Sequence, residues 1–160
     1  MISDEIPFYV GDRELYDYEA EYKERLLKHI DLVNKYALKV YRSVPDHDYD
    51  KKHALFRSYS YFMKKGLTPE EKDKLDKATF KHVTGSGHHP EHWSPSDLSG
   101  FTRENPTPHG TVDAYAMPPG FLQEMCADWC AVSEEKGTSP YDWADNRVPC
   151  RFRLLDRLRF

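Results

Sequence analysis

The chain is short of cysteine: Cys126, Cys130 and Cys150 are the three it has in 160 residues. An odd count with no CxxC pair builds neither a disulfide framework nor a four-cysteine zinc site. At spacing four, Cys126 and Cys130 read as small apolar fillers on a helix. No apolar run approaches the ~20 residues of a membrane-spanning helix. The first twenty residues are acidic and lack a basic segment followed by an apolar one, so no secretory leader is read there. Basic residues are in the minority, with 23 Lys and Arg against 27 Asp and Glu and a formal net charge of −4. That balance disfavours nucleic acid and other polyanions as partners. Internal repeats, low-complexity tracts and convincing period-two strands are missing as well. These exclusions leave an expectation of a reduced, cytoplasmic, globular protein of one domain.

Aromatic residues are plentiful at 14%, which argues for a packed core. Leu15, Tyr18, Tyr22, Leu26, Ile30, Val33, Ala37 and Val40 recur at spacings of three and four. They predict a long helix from about Glu14 to Ser43, ended by Pro45. A second helix is expected from Asp46, its N-cap, to Lys65, with Leu55, Tyr59 and Phe62 inward and Gly66 as its stop. Thr68-Pro69-Glu70-Glu71 is a capping box that opens a third helix to about Val83. A fourth starts at Pro118-Pro119 and runs to Lys136 on a stripe of Phe121, Met125 and Val132, with Gly137 after it. Short helices are expected at Ser94-Pro95 and from Ser139-Pro140 through Trp143, and the last ten residues read as helix or strand. The fold class is all-α, a compact bundle of five or six helices in a single domain, 1–160. Within it, residues 1–13 are an acidic lead-in, 85–117 a loop-rich segment and 148–160 a basic tail. The oppositely charged ends are suited to pairing with each other or with a second copy, which leaves a homo-oligomer open.

Histidine is what the chain has in excess. Four of its eight, His82, His88, His89 and His92, fall within eleven residues. Elsewhere, His29, Asp48, His82 and Asp128 sit on the apolar faces of four expected helices. Any one of them reads as a hydrogen-bonded core residue. Together they would bury two carboxylates and several imidazoles, at several kcal/mol each without compensation. A divalent cation supplies that compensation, and this ligand chemistry suits Mn, Fe, Co or Zn, one ion or two. His47 precedes Asp48 at a helix start, where neighbouring side chains can approach one ion. Lys51, one turn on, is placed to hold a phosphate or orient the Asp48 carboxylate. His53 and His109 read as surface or structural residues, and His92 stays open between ligand support, substrate contact and neither.

His29, the pair His47-Asp48 and Asp128, in that order, resemble the signature of the HD superfamily of metal-dependent phosphohydrolases, and His47-Asp48-Tyr49-Asp50-Lys51 is similar to its His-Asp-x-x-Lys run. His88-His89-Pro90-Glu91 resembles, with one residue inserted, the His-His-Glu segment of the branch that cleaves cyclic dinucleotides, although that branch's Gly-Tyr-Pro motif is absent. A family of uncharacterised bacterial and phage proteins is closer. It resembles this chain at His47-Asp48-x-x-Lys51, at His88-His89-Pro90-Glu91-x-Trp93, and at Met117-Pro118 with Glu124-Met125-Cys126-x-Asp128-Trp129. The HD resemblance implies a first metal on His29, His47, Asp48 and Asp128. It implies a second metal, bridged by Asp48, on His82 and on His88 or His89, with His88 favoured and His89 facing substrate. Metal-activated water would then attack a small phosphorylated molecule, a nucleotide foremost. Lys51 and His89 would serve the phosphate or the leaving group, and Glu124 would orient a ligand histidine or act as a general base. Two other functions share the same ligands: a di-iron oxygenase and a non-catalytic metal-containing binding module.

Overall fold

The computed structural model describes residues 13–40, 43–48 and 68–154. Its framework is a pair of packed helices, α1 (Arg13–Val40) and α3 (Pro119–Lys136). The three-and-four spacing of α1 does what it predicts: Tyr22, Leu26, Ile30, Val33 and Ala37 are buried along one side. Val33, Ala37 and Val44 form a core cluster with Ala127 and Ala131 of α3, whose small side chains let the two helices approach closely. Gly137 closes α3 in the left-handed conformation at φ 67°, a backbone state that costs glycine nothing.

The second main helix, α2 (Pro69–Gly85), begins at the capping box. Thr68 Oγ1 accepts from the Glu71 amide at 3.2 Å, and Glu71 Oε1 accepts from the Thr68 amide at 3.1 Å. The helix runs two residues past Val83, so that His82 lies buried in its last turn. Short helices α4 (Pro140–Asn146) and α5 (Val148–Arg151) follow α3, and the Ser139 hydroxyl caps α4 by accepting from the Tyr141 amide. The described residues are all-α apart from one small element. Two-residue strands β1 (Val112–Asp113) and β2 (Phe152–Arg153) pair in parallel. Val112, Phe152 and Leu98 are buried together beneath that pairing. No helix among the described residues is long and apolar enough to cross a membrane.

Three expectations change. Residues 45–48 form a turn, and Asp48 has φ 53°, which no right-handed helix accommodates, so the helix does not start at Asp46. The rest of that expected helix, with Lys51, His53, Leu55, Tyr59 and Phe62, lies outside the described residues. The short helix in the loop is a 3-10 turn at Pro90–Trp93 rather than at Ser94-Pro95, where proline at the first helical position starts it four residues earlier. Phe121 is exposed and does not share the core stripe of α3, which runs through Leu122 and Met125 instead. Its ring covers Gly87, where an added Cβ would come within 2.5 Å of it.

Candidate metal centre

Three segments of different kinds bring the site together. α1 carries His29, and α3 carries Glu124, Asp128 and Glu135 at spacings of four and seven, on one face. The turn after α1 carries His47 and Asp48. It is tied back to α1 by Asn34, whose Oδ1 accepts from the Val44 amide at 2.6 Å while its Nδ2 donates to the Ile30 and Val44 carbonyls. His82 ends α2, and the chain then turns at Gly87 to present His88 and His89. The Trp93 indole N–H fixes that turn by donating to the Gly87 carbonyl at 2.8 Å.

The side chains converge on Asp48. Its Oδ2 lies 3.5 Å from His29 Nε2 and 3.5 Å from His47 Nε2. Asp128 Oδ1 joins this group at 2.9 Å from His29 Nε2 and 3.6 Å from His47 Nε2. The other Asp48 oxygen, Oδ1, lies 3.3 Å from His82 Nε2 and 3.2 Å from His88 Nε2, and His89 Nε2 stands 3.1 Å from His82 Nε2. One carboxylate thus faces two sets of donors. Two ligands bonded at ~2.1 Å to one tetrahedral ion stand ~3.4 Å apart, the scale of these separations.

All five rings turn Nε2 inward and Nδ1 outward. His29 Nδ1 meets Glu135 Oε1 at 2.6 Å, and Glu124 Oε2 serves both His47 Nδ1, at 2.9 Å, and His88 Nδ1, at 3.0 Å. His82 Nδ1 lies 3.3 Å from the Ser86 hydroxyl, and His89 Nδ1 lies 4.0 Å from Glu91 Oε2. For His29, His47 and His88 a carboxylate behind Nδ1 holds the proton there and leaves the Nε2 lone pair facing inward, as metal-ligating histidines require. Glu124 therefore stands behind two histidines, in the orienting position.

The donor set fits a cation on two further observations. The Nε2 atoms of His47 and His88 are buried and make no hydrogen bond. Asp48 holds a backbone conformation that a non-glycine residue adopts at a cost of ~1–3 kcal/mol. Such lone pairs facing carboxylate oxygens repel unless a proton or a cation lies between them. In the metal-free chain protons take that place. Burial alone would lower the pKa of His29, but hydrogen bonds to Asp128 and Asp48 carry it up to about 10. Burial likewise opposes protonation of His88, and Asp48 and Glu124 outweigh it, to about 9. Reciprocally, burial would raise Glu124, but His47 and His88 hold it down to about 2. Asp128 is also held well below its ordinary range, by His29 and His47 against the opposing effect of burial.

Of the residues the sequence singles out, His29, His47, Asp48, His82, His88, His89, Glu124 and Asp128 meet here, while Lys51 lies outside the described residues. Three sets, Asp48 with His82, His88 and His89, Asp48 with His29 and His47, and Asp128 with His47 and His88, each place one donor atom per residue within 4.8 Å of the others. His92 is exposed and its Nδ1 meets the Thr84 carbonyl, so it supports the loop. His109 is exposed beside Ser99. Sequence reasoning gave no role to Glu135, Asn34 or Glu91. For Glu135 a signal existed, since it follows Asp128 by seven residues on the same helix face.

A cavity of about 480 Å³ opens beside the cluster. His29, Asp48, His82, His89 and Asp128 line its floor, and Arg25, Arg103, Lys136 and Arg151 are among its walls.

A helical protein whose described core holds a histidine–carboxylate cluster is the class defined so far. The chain belongs to the family described as a family of unknown function (DUF5662), whose model matches residues 18–153. No curated protein and no solved structure matches it.

Proposed function

We propose that this chain is a metal-dependent phosphohydrolase of the HD type, acting on a small phosphorylated molecule, with nucleotides the first class to test. The observation that carries the reading is Asp48, whose two carboxylate oxygens face two separate histidine groups, as a bridging ligand between two ions would. His29, His47, Asp48 and Asp128 would hold one ion, and Asp48, His82, His88 and His89 the other. The ions would supply Lewis acidity and lower the pKa of bound water. The protein's own part is orientation: Glu124 and Glu135 fix the histidine rings, and the cationic cavity wall attracts and places an anion. That wall suits an anionic, phosphorylated substrate.

The test has two stages. Full-length protein purified without chelator should carry one to two equivalents of transition metal, measured by elemental mass spectrometry. With Mn, Fe, Co or Zn added it should release phosphate from a member of a nucleotide and phosphomonoester panel. His47→Ala and Asp48→Ala should each abolish both properties. Absence of stoichiometric metal, with no uptake on addition, sinks the proposal at its premise. Two irons whose absorption changes with oxygen, and no phosphate release, would replace it with the oxygenase.

A further inference from the structure

Glu91 and Arg151 form an ion pair that joins the histidine loop to the C-terminal leg of the chain. Arg151 Nη2 donates to Glu91 Oε1 at 3.2 Å. The Glu91 side chain is 0% exposed and that of Arg151 is 28% exposed. Glu91 sits in the 3-10 turn directly after His88 and His89. Arg151 ends α5, and the next residue, Phe152, is pinned by its pairing with Val112. The guanidinium also lies 4.9 Å over the Phe152 ring. Both chain segments therefore fix where Arg151 stands, and it stands in the wall of the cavity that His82, His89 and Asp48 floor.

Burying a carboxylate completely costs several kcal/mol, and pairing it with one partly buried guanidinium need not return all of it. What the arrangement secures is position: a permanently charged, planar group held beside the donor cluster. Its Nε is sealed from solvent, so a ligand would meet the guanidinium through its terminal nitrogens. A guanidinium placed in this way matches a phosphate, whose oxygens take two parallel N–H donors.

We propose that Arg151, held by Glu91, binds the anionic phosphate group of the substrate beside the histidine–aspartate cluster, an inference that rests on the phosphohydrolase reading. Glu91 is then a positioning residue, and Arg151 sets specificity for an oxyanion. The pair also ties the end of α5 to the histidine loop.

Isothermal titration of inorganic phosphate into the full-length, manganese-loaded protein reads this directly, without turnover. Arg151→Gln should weaken phosphate binding about tenfold or more, and Arg151→Lys should lose less, because it keeps the charge but not the fork. Metal content should stay at the wild-type level in both. Arg151→Gln leaves a buried carboxylate alone and risks misfolding, so the double variant Glu91→Gln/Arg151→Gln, which removes both charges, is measured beside it. The proposal is overturned if the double variant binds phosphate as the wild type does, or if the loaded wild type binds none. Phosphate binding that depends on Arg151, with no hydrolysis of any phosphoester, would overturn the assigned function and leave this inference standing.

Discussion

The two halves of the site are held in different ways. Residues on α1 and α3 stand where they do because two long helices pack through Val33, Ala37, Ala127 and Ala131. Residues on the turn at 45–48 and the loop at 86–91 stand where they do because of a few side-chain hydrogen bonds, from Asn34, Trp93 and Arg151. The helical half shares its stability with the whole fold. The looped half has stability of its own that can be lost separately. Disturbing the first should destroy fold and metal site together, and disturbing the second should cost the metal site more than the fold.

Ala131→Asp should have the largest effect. Ala131 is fully buried against α1, and an unpaired carboxylate there costs roughly 3–5 kcal/mol or more. Thermal unfolding and metal content should fall together. A variant that stays folded but loses metal would break the assignment of this half to the common core.

Asn34→Ala tests the other half. It frees the Val44 amide and carbonyl, with an expected loss of about 1–3 kcal/mol in stability. Metal affinity should drop at least as far, because the turn that carries His47 and Asp48 is no longer tied to α1. Equilibrium unfolding and competitive metal titration measure the two separately. Intact metal affinity alongside the stability loss would show that the turn holds itself.

The halves also meet in one charge cluster, which predicts a pH dependence. In the metal-free chain His29 and His88 are raised from 6.5 to about 10 and about 9. A raised histidine stabilises the fold fully below its unfolded pKa of ~6.5 and loses that contribution as pH climbs through the folded value. Metal-free protein should therefore lose thermal stability between about pH 6.5 and 10. Metal uptake needs the same nitrogens deprotonated, so it should release protons and strengthen over that range. Melting curves with and without metal across these pH values would show the gap between the two forms widening. A constant gap would mean that the histidines are not the ligands.

This division also governs how much could be read from the sequence. Helical periodicity places His29 and Asp128 on inward faces, and the capping box at Thr68 fixes the start of α2, because both rules are local. Asp48 belongs in the site, but the face argument assigned it to a helix it does not occupy. Its position depends on a left-handed backbone and on Asn34, fourteen residues earlier, and no local pattern encodes that pair. Glu91 and Arg151 are sixty residues apart, and Arg151 stands next to the pairing of β1 and β2. Phe121 looked like core by spacing, yet it covers the glycine turn of the histidine loop. Contacts between distant segments are what period and spacing leave undetermined.

The smallest effect should come from His92→Ala, and it separates density of histidine from ligation. His92 lies in the same run as His88 and His89, but its side chain is exposed and Nδ1 meets the Thr84 carbonyl at 2.6 Å. Removing it leaves that carbonyl to water, so the stability cost should be about 0.5–1 kcal/mol. Metal stoichiometry and affinity should not move, whereas His88→Ala should lower both, since His88 Nε2 lies 3.2 Å from Asp48 and His92 makes no such approach. Elemental analysis of the two variants side by side checks this. Metal loss in His92→Ala would mean that the loop works as a pooled histidine patch, and the division of the site into two ordered ligand sets around Asp48 would fail with it.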